Sequence, residues 1–398
     1  MIEAAAGNQT VDTYIGVLDG LRSIAVIIII WYHFWEHSWL TPYINFNNQW
    51  TRYLGITESH LHTYLRYAVV FTELLILISA ICNFWPYARS IVLGEAWPDT
   101  KAFFKKRAIR IMPSYYLCVF LLFIWDLMQN RYATTSFMWR DLLTRITFTG
   151  IWSPELSVRT ILNGALWTVQ VEVFFYLLIP LLAWLFRKWP VITSGILWLV
   201  GIVGANVVLY NCSDNLRGWV NHPLLYTGFY ANGMLICMCY AMIKKRQAES
   251  KYTMLFASFM ALAGFVGYDR LIMTFKYQDK DYMKISTRFE MMIIFTLITF
   301  ALMLAAPYVK KIFANKIAKF ISTISYNLYI WHQVVAYELK VNRIPYWEGD
   351  IEPNKIGDLV WQWKYQILIV VLSFVVGLVL TYGFELPIAR RLRKKFKV

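Results

Sequence analysis

Charge is scarce in this sequence. Asp, Glu, Lys and Arg make up 16% of its 398 residues, while hydrophobic residues make up 58%; ordinary soluble domains carry about 25% charged residues. That balance excludes a simple soluble globule. Cysteine is also sparse. The five, Cys82, Cys118, Cys212, Cys237 and Cys239, are odd in number and sit mostly in apolar segments, so no disulfide framework is expected. The first 20 residues lack the basic, apolar and cleavage regions of a signal peptide, so Leu21 onward reads as a retained membrane anchor. Ten-residue strands of alternating polarity are missing, which argues against a membrane β-barrel. Neither a fixed-period repeat nor a low-complexity linker interrupts the chain.

What is present is a series of apolar windows of about 20 residues, the length a helix needs to cross about 30 Å of hydrocarbon. An all-α polytopic membrane protein of ten helices is expected. The predicted spans are Leu21–Leu40, Arg66–Trp85, Pro113–Gln129, Ala165–Phe186, Pro190–Tyr210, Pro223–Ile243, Tyr252–Asp269, Phe289–Pro307, Ile317–Leu339 and Trp361–Phe384. Residues 1–398 then form one membrane-embedded domain with no appended soluble domain. The even count puts both termini on one side, and most of the 39 Lys and Arg fall on that side, which predicts cytoplasmic termini. The net charge of +15 therefore reads as topology and contact with anionic lipid, about 1 kcal/mol per basic residue near the surface. It is no sign of nucleic-acid binding.

Aromatic residues make up 18% of the chain. Interfacial belts of Trp and Tyr account for most of them, and stacking against a sugar ring is the alternative for Trp39, Trp50, Trp139, Trp152 and Trp347. These lie in the longest segments outside the predicted helices, residues 41–65, 131–164 and 340–360, or at their edges.

The chemistry concentrates on the first helix. Arg22 and His33 are eleven residues apart, so they fall within about 20° of one helical face and about 16 Å apart along the axis. One ligand could touch both. A fixed cation at the Arg22 end can hold phosphate, and an imidazole at His33, expected near mid-membrane, can take a proton from a hydroxyl. Ionisable groups within a membrane mark functional sites by default; the plainer reading makes Arg22 an anchor and His33 a packing residue. His33-Phe34-Trp35-Glu36-His37 also spells an inverted zinc-protease motif, but it lies in a membrane helix without a third ligand downstream, and no metal is expected. Glu73 and Asp126 are further acids inside predicted helices, expected to be paired.

Leu18-Asp19-Gly20-Leu21-Arg22, followed after ten residues by His33, resembles the signature of the acyltransferase-3 family of membrane O-acyltransferases. Four later segments extend the resemblance in order. Arg107-Ala108-Ile109-Arg110-Ile111-Met112-Pro113-Ser114-Tyr115 is similar to the family's basic entry to the third helix, where Pro113 would occupy a first turn. Trp167-Thr168-Val169-Gln170-Val171-Glu172 with Phe175-Tyr176, Ile324-Ser325-Tyr326 through Tyr329 to His332, and Glu385 to Pro387 resemble its remaining motifs. One departure is Ala80, where the family carries glycine in the second helix.

The resemblance implies an acyl-CoA, most simply acetyl-CoA, as donor. Arg22, Arg107, Arg110, Trp167 and Glu385 would serve donor binding, and His33, Glu172, Tyr329 and His332 the transfer. Glu172 is expected to orient His33 or pair with an arginine, Tyr329 to offer an acyl relay, and Glu385 to pair with one of the three arginines. The acceptor implied is a carbohydrate or glycolipid hydroxyl of the cell envelope, in a bacterial inner membrane and alongside envelope-polysaccharide assembly proteins. Two other readings use the same residues differently. A proton-coupled or glycan-moving transporter would employ His33, Glu172 and His332 as an ion path, and a scaffold would need none of them.

Overall fold

The computed structural model describes residues 14–40, 58–246 and 250–396; Trp50 lies outside them. All regular structure in the described residues is helical. The principal helices are α1 (Val17–Ser38), α2 (Phe71–Leu93), α3 (Thr100–Met128), α4 (Trp167–Lys188), α5 (Pro190–Asn211), α6 (Thr227–Lys245), α7 (Lys251–Thr274), α8 (Lys280–Ser286), α9 (Arg288–Leu304), α10 (Lys316–Val341), α11 (Leu359–Val379) and α12 (Leu386–Phe396). A π-helical turn, Leu380–Glu385, joins α11 to α12.

Among the described residues, eight helices are long and apolar enough to cross a membrane, or nine if the α8–α9 pair, bent by 71°, is one span. The expected ten is not reached on that measure because α10, 26 residues long, is too polar. The reason is its position. Ser322, Ser325, Asn327 and His332 are buried inside the bundle, where each makes at least one hydrogen bond within the protein rather than facing lipid.

α2 packs along α6, α1 lies against α10 and α2, and α7 pairs with α9. In α2 and α6 78% of the apolar window is buried, against 22% in α5 and α7. The first pair therefore forms the centre and the second the lipid-facing rim. Glycine makes two close approaches possible, one of α1 to the Pro307–Phe313 helix and one of α6 to α2. A Cβ on Gly20 would lie 2.5 Å from the Phe313 carbonyl oxygen, and one on Gly233 would lie 2.6 Å from the Ala80 Cβ. The small residue missing from α2 at Ala80 is thus supplied across the interface by Gly233 of α6, and the two helices still pack closely.

α3 corrects a boundary. It begins at Thr100, where the Asp99 carboxylate accepts the Ala102 amide at 2.6 Å, and runs 29 residues. Pro113 lies inside the helix rather than in its first turn. Lys105, Lys106, Arg107 and Arg110 project from this same helix, with Arg107 and Arg110 three residues apart as on one helical face. The basic end of α3 lies beside the basic α12, with the Lys105 ammonium 5.9 Å from the Phe396 ring centroid.

Candidate functional site

Two cavities lie along α1. The first, about 80 Å³, is lined by Arg22 of α1, Ser79 and Cys82 of α2, Arg107 and Arg110 of α3, Glu172 and Tyr176 of α4, and Tyr326 and Tyr329 of α10, among others. Arg22 is fixed from below. Its guanidinium donates to Ser322 Oγ at 3.3 Å and to Cys82 Sγ at 3.6 Å, and lies 3.8 Å from Asp19. Ser322 in turn donates to Asp19 at 3.0 Å, so the Asp of the Leu-Asp-Gly-Leu-Arg segment holds its arginine directly and through α10. Arg107 donates to the Cys82 carbonyl at 3.3 Å and lies over the Phe103 and Tyr176 rings. Tyr176 donates to Glu172 at 2.9 Å, and the charges of Glu172 and Glu385 act on Arg110.

Three cations against one carboxylate on the wall make this an anion-binding site by charge, and guanidinium forks suit phosphate. The cavity itself is smaller than the roughly 300 Å³ at which ligand pockets usually begin, so a nucleotide-sized group enters only as the helices part.

The second cavity, about 520 Å³, is lined by His33, Glu36 and His37 of α1, Asp126 at the end of α3, Arg131, Thr160–Gly164, and Gln333, Tyr337 and Glu338 of α10, among others. Every one of these elements contributes the same end of the bundle. His33 is five residues from the α1 terminus Ser38, about 8 Å along the axis, so it stands near this mouth rather than at mid-membrane as expected. Its Nδ1 is 3.1 Å from Glu36 Oε2. The Gln333 amide nitrogen is 2.8 and 2.9 Å from both ring nitrogens, a position over the ring rather than along either lone pair.

Arg131 bridges two carboxylates, Asp126 at 2.8 Å and Glu338 at 2.5 Å, and the Glu338 hydrogen bonds raise its guanidinium above the ordinary value. The 160–164 segment is held by Asp141, which accepts from Thr160 Oγ1 at 2.8 Å and from the amides of Ile161 and Leu162 at 3.0 and 3.3 Å, with Arg145 at 3.5 Å. Asn163 ties that segment to α10 by donating to the Ile330 carbonyl at 2.7 Å.

An apolar layer borders the arginine cavity, which its Leu75 and Tyr329 line. Ile29, Ala165 and Tyr329 are buried together, with Phe71 and Leu75 against them. Arg22, Arg107, Arg110, Glu172 and Tyr329 thus share one cavity, and His33 lines the other. Glu172 does not orient His33; it faces Tyr176 and the arginines. His332 is buried, its Nδ1 2.6 Å from the Tyr329 carbonyl and its ring centroid 5.1 Å from that of His33. Glu385 stands behind the arginine cavity, accepting from Asn327 at 2.6 Å. Trp167 lines neither cavity; it stacks on Tyr226 at 5.8 Å, with the Lys284 ammonium 5.3 Å from its ring centroid. The expected pairing of Glu73 is with Arg288, at 3.4 Å. Trp152 and Trp347 pack on His222 and Trp361.

Sequence reasoning passed over Cys82, Tyr176, Gln333 and the Arg131 bridge as site residues. Only Tyr176 carried a local signal, one turn after Glu172; the others reach the cavities through tertiary contacts alone.

A family model described as an acyltransferase domain, acyltransferase-3, matches residues 15–389. Neither a curated protein nor a solved structure matches the chain.

Proposed function

The chain belongs to the acyltransferase-3 family, and on that premise we propose that it carries an acyl group from acyl-CoA, acetyl-CoA being the simplest, to a hydroxyl of an envelope glycan or glycoside. The observation that supports this most is the division of α1 between two cavities. Arg22 joins Arg107 and Arg110 in one, and His33 lines the other. The donor's phosphates would meet the three guanidinium groups, and its pantetheine arm would run past Tyr329 through the apolar layer to bring the thioester within reach of His33. The separation of about 16 Å along α1 suits that extended arm, and the larger cavity suits a sugar.

In the proposed step the acceptor hydroxyl gives its proton to His33 as its oxygen attacks the thioester carbonyl. The C–S bond breaks, and the CoA thiolate takes the proton back from the imidazolium. The alternative route passes the acyl group through a side chain, and Tyr329, which lines the arginine cavity, would be that relay.

The proposed setting is a bacterial inner membrane, with ten crossings counting α8–α9 as one and α10 as another, and both termini in the cytoplasm. The basic turns of α3 and the basic α12 lie at the arginine end, as the positive-inside rule asks. Envelope-polysaccharide assembly proteins are the partners this setting suggests.

The test is purified protein with labelled acetyl-CoA. CoA release that is lost in both His33→Ala and Arg22→Ala is the expected result. Unchanged turnover in both variants would overturn the proposal, and counterflow of glycan without CoA release would point to a carrier.

A further inference from the structure

The inverted zinc-protease motif on α1 holds a carboxylate that the proposed step does not use. Glu36 follows His33 by three residues, the spacing at which helix neighbours meet. Its Oε2 lies 3.1 Å from His33 Nδ1. The other oxygen, Oε1, lies 2.8 Å from the Lys280 ammonium and accepts the Tyr32 hydroxyl. Lys280 also donates to Tyr32. Both oxygens are therefore committed, one to the imidazole and one to a clamp built from α1 and α8.

We infer that Glu36, held by Lys280 and Tyr32, is the positioning residue that keeps the Nδ1–H of His33 directed at a carboxylate and leaves its Nε2 as the base. The inference rests on the reading of His33 as the proton acceptor. A carboxylate on one ring nitrogen fixes the tautomer and stabilises the imidazolium formed when the other accepts a proton. The Gln333 amide nitrogen lies 2.9 Å from Nε2, so an acceptor hydroxyl would displace it there.

The remaining groups around His33 cannot replace Glu36. His332 is a neighbouring ring, His37 lines the same cavity as another imidazole, and Lys280 is a cation held by Glu36. Among the described residues, Glu36 is the anion paired with His33. The Glu36–Lys280 pair is about one third exposed on each side, and ion pairs that accessible add little stability. Its effect falls on the imidazole.

The experiment measures CoA release from labelled acetyl-CoA in membrane vesicles carrying the full chain, where the native acceptor is present. Glu36→Gln should lower kcat by about a hundredfold while the KM for acetyl-CoA stays within about twofold, because the arginine cavity is untouched. Lys280→Met should lower kcat by about tenfold, and Lys280→Arg should restore it. Combining Glu36→Gln with His33→Ala should cost no more than His33→Ala alone, because one acts through the other.

Full activity in Glu36→Gln, or a further loss in the double variant, overturns the inference. If Glu36→Gln fails to fold, equal kcat values in Lys280→Met and Lys280→Arg overturn it instead. Full activity in His33→Ala would remove the reading of His33 itself; loss there beside a normal Glu36→Gln removes only the role of Glu36.

Discussion

Arg22 donates to the sulfur of Cys82 at 3.6 Å, which places a thiol on the wall of the arginine cavity. Cys118 and Cys237 are buried, Cys82, Cys212 and Cys239 only partly so, and of these Cys82 lines the arginine cavity and reports on that space. Maleimide labelling of Cys82, followed by peptide mapping, should slow severalfold when saturating acetyl-CoA is added. Labelling that is indifferent to acetyl-CoA would move the donor site elsewhere.

Arg110 shares this cavity with Arg22 and Arg107. Losing one charge-assisted contact costs about 1.5–3 kcal/mol, or roughly 10- to 100-fold in affinity. Arg110→Met should raise the KM for acetyl-CoA by that factor, measured at saturating acceptor, and leave the KM for acceptor alone. A rise in acceptor KM instead would argue against a phosphate grip.

The α2–α6 contact makes a reciprocal prediction. Gly233→Ala puts two Cβ atoms at 2.6 Å, and overpacking of this kind costs about 1–3 kcal/mol. Its thermal midpoint in detergent should fall, and adding Ala80→Gly should restore it. No recovery in the double variant would mean that the glycine had not simply changed sides.

Asp141 is fully buried and receives three hydrogen bonds from the 160–162 segment. Asp141→Asn leaves Arg145, also buried, without its anion, and breaking a buried pair costs about 3–5 kcal/mol. The protein should melt earlier, and the acceptor KM should rise more than the acetyl-CoA KM because 160–164 lines only the histidine cavity. Equal melting of Asp141→Asn and wild type would contradict the anchoring role.

The helical class and most spans were legible because apolar windows of membrane length are a local signal. The spacing of Arg22 and His33 likewise predicted that they could serve one path. The start of α3 was not legible because Pro113 suits a first turn, whereas the Asp99 cap lies fourteen residues before it. The depth of His33 was misjudged because α1 ends at Ser38. Glu172 illustrates the larger limit. Its partner Tyr176 was one turn away in sequence, but the choice between arginines and His33 depended on how α3, α4 and α10 meet, which spacing along one helix does not encode.

The layer formed by Ile29, Ala165, Tyr329, Phe71 and Leu75 also has an electrical consequence. Were water to fill the cavities on either side, a membrane voltage would fall mainly across this layer rather than across the whole bilayer. Moving a unit charge through the full drop involves about 2.3 kcal/mol per 100 mV, and a CoA phosphate carried across would meet that work. An acetyl group is neutral. In the proposed reaction the charged carrier stays on one side of the insulation and the uncharged cargo passes, so turnover should be indifferent to membrane voltage.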